Sequence, residues 1–243
     1  MMLQVKNLQK HFGGIKAVDG CSFAVKQGTI TALIGPNGSG KSTVFHLISQ
    51  LEQEDRGKIM FNNKNITTVS DYEVARLGVS RTFQEVRLFK NLSIYDHLEI
   101  ALGQDDEHLW QSLWKKPEDK TKQIQEIVKM VGLHKDLKTY VTDLSYGQRK
   151  LLDLAIALAK PHTLLMLDEP VAGVNPLIRQ EIKTILRTLK KQGETILVIE
   201  HDMNFVMDIA DYLIVMDAGK VIAEGKPKEI QKNKKVLEAY LGE

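Results

Sequence analysis

Five apolar runs of strand length mark the chain: Thr29 to Ile34, Val79 to Phe83, Thr163 to Leu167, Thr195 to Ile199 and Tyr212 to Met216. Unbroken apolar runs this short read as strands buried on both faces. Between them lie segments of helical period with definite punctuation. Ser70 and Glu73 make a capping box before a helix that stops at Gly78, and Asn175 with Pro176 starts a long helix ending at Gly193. This alternation predicts an α/β fold with a mostly parallel sheet. The first 25 residues differ. Leu3 to Phe12 and Cys21 to Val25 alternate apolar and polar residues, as half-exposed strands do, and Gly13 and Gly14 lie between them, so an antiparallel β layer is expected at the amino end. Leu92 to Lys160 is helical in pattern and predicts a lobe inserted between sheet strands. There is no internal repeat or low-complexity tract.

Composition narrows the function classes. The chain has 243 residues, 43% of them hydrophobic, enough for a sizeable core in one domain or one domain with a lobe. Its 33 basic and 31 acidic residues leave a charge of +2, too balanced to make nonspecific nucleic-acid binding the first expectation. There is no signal-like leader, and no apolar run approaches the roughly 18 residues of a membrane span, so a soluble chain is expected. A single cysteine, Cys21, excludes an internal disulfide and a cysteine-built metal cluster, and reads as a small core residue.

The candidate chemistry gathers at strand ends. GPNGSGKST, Gly35 to Thr43, follows one strand and opens a helix, the context a phosphate-binding P-loop requires. Gly35, Gly38 and Gly40 let the backbone, with Asn37 and Ser39 between them, curl so that N–H groups and a helix N-terminus converge on phosphate oxygens. Lys41 adds a full positive charge, Ser42 a hydroxyl for Mg²⁺, and Thr43 a contact to another phosphate oxygen. A second strand, LLMLDEP, ends in paired carboxylates. Asp168 is placed to hold Mg²⁺ directly or through water, and Glu169 to orient or deprotonate the water that attacks a γ-phosphate. Gln84 and His201 also follow strands. In an open α/β sheet these carboxyl ends share one crevice, so all of these residues would face one ATP site. His11, His46, His97, His108, His134 and His162 read as surface or packing residues. LSYGQ, Leu144 to Gln148, has two compatible readings: Ser145 and Gln148 form a capping box, and a capped helix with Gly147 in its first turn also offers N–H groups to an anion.

The order GPNGSGKST, Gln84, LSYGQ, LLMLDEP and His201 resembles the ATP-binding subunit of ABC transporters over essentially the whole chain. The resemblance implies a RecA-like P-loop NTPase core with the antiparallel β layer over residues 1–91 and 161–225. It further implies a helical subdomain carrying the signature loop over 92–160 and a helical extension over 226–243. Phe12 would stack on adenine with Val18 beside it, Gln84 would sense the γ-phosphate and Mg²⁺, and His201 would contact the γ-phosphate. Ser145, Gly147 and Gln148 would meet ATP held by the P-loop of a second subunit, identical or homologous.

Two positions depart from the family pattern: Tyr146 replaces the first glycine of LSGGQ, and Asn175 replaces an aspartate, keeping a hydrogen-bonding group but losing its charge. Together with IEHDM, AEGKPKEI and VLEAYLG, these variants resemble the branched-chain amino-acid importer's ATPase. Urea or short-amide importers and a lipopolysaccharide exporter have similar patterns. Permease subunits and a possible external solute-binding protein are the implied partners, with the chain on the cytoplasmic face of the membrane. Val86 to Leu92, alternately apolar and basic, could link nucleotide state to a permease helix. Trp110 and Trp114, four apart, read as a local hydrophobic lid. DNA-repair and translation ATPases of the same type remain alternatives, but the first would carry a long coiled coil before Asp168 and the second two cassettes. A GTP-binding switch or a kinase does not explain LSYGQ.

Overall fold

The structure is a computed structural model and describes residues 1–103 and 119–241. Trp110 and Trp114 lie outside the described residues. The chain divides into two compact units. The first comprises 1–84, 162–172 and 186–243, and the second 85–161 and 173–185, so the second takes in a stretch beyond Asp168 that falls within the 161–225 core implied by the resemblance.

In the first unit, β1 (Leu3–Phe12), β2 (Ile15–Val25), β4 (Arg56–Phe61) and β5 (Lys64–Asn65) form an antiparallel layer in the order β2-β1-β4-β5. The larger sheet holds β3 (Ile30–Ile34), β6 (Val79–Arg81), β7 (Leu164–Asp168), β8 (Thr195–Ile199), β9 (Tyr212–Asp217) and β10 (Lys220–Gly225). Its order is β10-β9-β3-β8-β7-β6, parallel throughout except where β10 pairs with β9. Every residue of β3, β7 and β8 is buried, which is why these strands read as unbroken apolar runs.

The helix α1 (Lys41–Ile48) shares one core with both sheets: Val44, Phe45, Leu47 and Ile48 pack in the same cluster as Leu3, Leu8 and Val18 of the layer and Leu33, Met166 and Ile199 of the sheet. The helix that carries the phosphate loop is thereby fixed from two sides. Cys21 lies opposite Leu8 in the layer, fully buried, and burial pushes its thiol pKa up to about 12. α2 (Asp71–Arg76) starts at the expected Ser70–Glu73 box, and α7 (Met203–Ile209), α8 (Pro227–Ile230) and α9 (Lys234–Leu241) also belong to this unit.

The second unit is helical. α3 (Ile94–Ala101), α4 (Thr121–Met130) and α5 (Tyr146–Ala159) bury Ile94, Leu98, Ile124, Val128, Leu151 and Ala155. Of the two readings open for His97, surface or packing, the structure shows packing, since its side chain is buried. Its Nδ1 lies 2.8 Å from the Ser93 carbonyl, and its Nε2 accepts the Phe89 N–H, tying down the segment from Val86 to Leu92. The long helix α6 (Pro176–Lys191) begins in this unit, where the Asn175 side chain accepts the Ile178 N–H as a cap. Among the described residues no helix is long and apolar enough to cross a membrane.

Candidate nucleotide site

The loop from Gly35 to Gly40 turns back on itself because glycine occupies the positions with no room for a side chain. A Cβ on Gly35 would stand 2.0 Å from the Met216 carbonyl oxygen, and one on Gly40 2.2 Å from that of Ala17. Both residues also hold positive φ, which side chains resist. The curl wraps around the Lys41 ammonium, which donates to Gly35 O at 2.9 Å, Pro36 O at 2.7 Å and Ser39 Oγ at 3.2 Å. α1 then starts from Gly40 with no side-chain cap and no acidic residue in its first turn. By contrast α2, α3 and α5 all begin with complete capping boxes. Uncapped N–H donors, the positive end of the helix dipole and a lysine make an anion site that fits a polyphosphate.

This end of α1 opens on a cavity of about 410 Å³ lined by Ala17, Asn37, Gly38, Gly40, Lys41, Ser42, Thr43, Gln84, Glu169 and His201. Gly38 has open space where a side chain would be, so its backbone faces the cavity bare.

Across from the loop stands Glu169. Its φ of 49° puts a non-glycine residue in the left-handed region, a conformation held by hydrogen bonds from its N–H to Ile199 O at 3.0 Å and from Ala172 N–H to its carbonyl at 3.2 Å. The carboxylate is gripped from both sides: Gln84 Nε2 donates to Oε2 at 3.1 Å, and His201 Nε2 lies 2.9 Å from Oε1. Three residues far apart in sequence thus form one cluster beside the phosphate loop.

Glu200 sets this turn from below. It is buried and accepts N–H groups from Val171 at 2.9 Å and His201 at 3.1 Å, tying the two strand ends together. Burial raises its pKa against the lowering effect of these hydrogen bonds. Sequence reasoning passed over Glu200 because it looks like one more charge beside a loop.

Other sequence candidates fall elsewhere. Val18 is fully buried in the core and is not part of the cavity, contrary to its expected place beside adenine; its neighbour Ala17 lines the wall instead. The sequence pattern had started this strand at Cys21, whereas β2 runs from Ile15, and neighbours on a strand face opposite sides. Phe12 is exposed at the end of β1, with the Lys10 ammonium 5.1 Å from its ring centre. Gly35 and Ser39 are buried within the loop.

Asp168, one residue before Glu169, is buried and is not among the residues that line the cavity. Burial raises its pKa and Arg81 pulls it down. Arg81, which sequence reasoning missed, donates from Nη2 to Asp168 Oδ2 at 3.2 Å, while buried Oδ1 has no hydrogen-bond partner among the described residues. An oxygen acceptor left over on the residue before Glu169, together with the exposed Ser42 hydroxyl on the cavity wall, is a set of oxygen ligands whose chemistry fits Mg²⁺.

In the second unit, Ser145 Oγ accepts the Gln148 N–H at 3.3 Å and Gln148 Oε1 accepts the Ser145 N–H at 3.0 Å, the capping box read from LSYGQ. A Cβ on Gly147 would press on Ile178 at 3.0 Å, and the Tyr146 ring lies 3.2 Å from where a Cβ on Gly173 would be. The signature segment is therefore packed against residues 173–178, which contain the other departure, Asn175.

A strand, a glycine-rich loop, an uncapped helix and a strand-end glutamate around one cavity define a P-loop nucleoside triphosphatase. A family model for the ABC transporter matches residues 18–172, and the chain belongs to that family as one of its ATP-hydrolysing cassettes. A model for the branched-chain amino acid ATP-binding cassette transporter matches residues 220–243. The chain is 39% identical to the probable branched-chain amino acid transport ATP-binding protein LivG of Archaeoglobus fulgidus, covering 99% of this chain and 95% of that protein. It is 35% identical to the high-affinity LivG of Salmonella typhimurium over 100% and 98% of the two. Among solved structures it is similar to the ADP conformation of an ATP-binding cassette of an ABC transporter, with a TM-score of 0.87, 35% identity and coverage of 100% and 99%. A dimeric cassette in a post-hydrolysis state, bound to ADP and Pi, gives a TM-score of 0.81 at 25% identity, over 93% and 99%.

Proposed function

We propose that this cassette powers uptake of branched-chain amino acids, docked on the cytoplasmic face of the membrane to permease subunits that receive solute from an external binding protein. The observation that carries the chemistry is the Gln84–Glu169–His201 cluster facing the uncapped end of α1. The full-length likeness to LivG proteins supports the solute.

Phosphate oxygens take the N–H groups of the loop and of α1, with Lys41 turning from the loop carbonyls to the β- and γ-phosphates. Mg²⁺, when bound, neutralises charge on these phosphates, and Ser42 with Asp168 would hold it. Gln84 and His201 each grip one oxygen of Glu169, and both line the cavity that the γ-phosphate would enter. As they swing to that phosphate, the Glu169 carboxylate is released to accept a proton from water. Phe12, at the end of β1, would cover the adenine. Ser145, Gly147 and Gln148 would close on ATP held by a second cassette.

The test is reconstitution of the purified cassette with its co-expressed permease in lipid vesicles. ATP-dependent uptake of labelled leucine, competed by isoleucine and valine, is the expected result. Uptake of urea or a short amide in place of leucine would overturn the solute assignment and leave the ATPase reading intact.

A further inference from the structure

Arg81 ends β6, and its guanidinium lies over two aromatic rings, 5.6 Å from the Phe45 centroid and 5.1 Å from that of Phe83. Nη1 donates to Oγ of Ser49, the residue that ends α1, at 2.8 Å, and that hydroxyl in turn donates to the Phe45 carbonyl within the helix. Nη2 donates to Asp168 Oδ2 at 3.2 Å. One buried side chain therefore joins the phosphate-loop helix, the carboxylate strand and the strand that leads to Gln84. Thr82 backs the joint, its Oγ1 accepting the Asp168 N–H at 3.2 Å and its N–H donating to Met166 O at 2.9 Å. We infer that Arg81 is a positioning residue for the cation site: by fixing Oδ2 it sets the rotamer of Asp168 and leaves Oδ1 as the acceptor of that carboxylate not committed to protein. Arg81 is not among the residues that line the cavity, so it acts through Asp168. A planar fork held between rings fixes a carboxylate more rigidly than a flexible ammonium does.

The inference rests on the reading of Asp168 as a cation-holding residue. The experiment measures binding of the non-hydrolysable analogue β,γ-imido-ATP by titration calorimetry, in Mg²⁺ and in EDTA, and takes the ratio of the two affinities as the coupling between cation and nucleotide. Arg81→Met keeps bulk beside the rings and removes the fork. It should lower the ratio by about 10- to 100-fold while leaving the affinity in EDTA unchanged, and Arg81→Lys should fall between it and wild type. An unchanged ratio in Arg81→Met, or an equal loss in EDTA, would overturn the inference. Should Arg81→Met not fold, Arg81→Lys decides: a reduced ratio at an unaltered melting temperature supports the role, and a wild-type ratio refutes it. Asp168→Asn separates the two levels. A reduced ratio there with an unchanged ratio in Arg81→Met removes Arg81 alone, whereas an unchanged ratio in Asp168→Asn removes the cation reading itself.

Discussion

Glu169 occupies a backbone region that costs a side chain roughly 1 to 3 kcal/mol, so the fold spends stability to hold this carboxylate where Gln84 and His201 meet it. Glu169→Gln keeps the volume and loses the proton acceptor. ATP binding should persist while hydrolysis disappears, and equilibrium binding set beside phosphate release checks the separation. Lys41 acts at the other step. Three loop acceptors hold its ammonium ready, and Lys41→Ala removes a charge-assisted contact of about 1.5 to 3 kcal/mol, weakening ATP binding by roughly 10- to 100-fold and abolishing turnover. Near-normal turnover in that variant would refute the loop's role. Gly35, Lys41 and Glu169 were legible in sequence because their chemistry sits in short motifs. Arg81 was not, since its partner lies 87 positions away and nothing local marks the pair.

Among elements, the buried parallel strands were the most legible, because burial on both faces writes an unbroken apolar run; β8 matches its expected limits of Thr195 to Ile199. Half-exposed strands hid for the opposite reason. β4 and β10 carry Arg56, Lys58, Lys220 and Glu224 on exposed positions, which breaks the apolar signal. The caps at Ser70, Ser145 and Asn175 were also readable, since each is a local hydrogen bond. α5 holds a liability that the sequence pattern did not show. Asp153 is half-buried on it, and burial pushes its pKa up to about 7 although Lys150 pulls the other way. Below 3.8, the ordinary value, both folded and unfolded forms are protonated. Between 3.8 and about 7 the unfolded chain loses this proton first, so rising pH favours unfolding, and above about 7 the penalty is constant. Asp153→Asn should therefore leave the melting temperature unchanged near pH 4 and raise it at pH 8. A gain of equal size at both would refute the burial effect.

At the scale of the whole molecule, ATP held between the phosphate loop of one chain and LSYGQ of another would bridge two copies. Glu169→Gln with ATP and Mg²⁺ should accumulate a dimer, and adding Ser145→Arg should prevent it by blocking the approach; light scattering at tens of micromolar protein reads both. A Glu169→Gln protein that binds ATP yet stays monomeric, alone and with any copurified cassette, would sink the shared site. Such assembly needs a reporter, and the antiparallel layer provides an unplanned advantage. Its one thiol, Cys21, is fully buried and its pKa lies near 12, so it is neither accessible nor ionised while the layer is closed. The natural sequence is thus already a silent background for maleimide chemistry. A spin label on a cysteine introduced at exposed Leu177 would be the single label per chain, so the spacing between two labels reads pairing directly. The slow modification of Cys21 itself becomes a clock for opening of the layer.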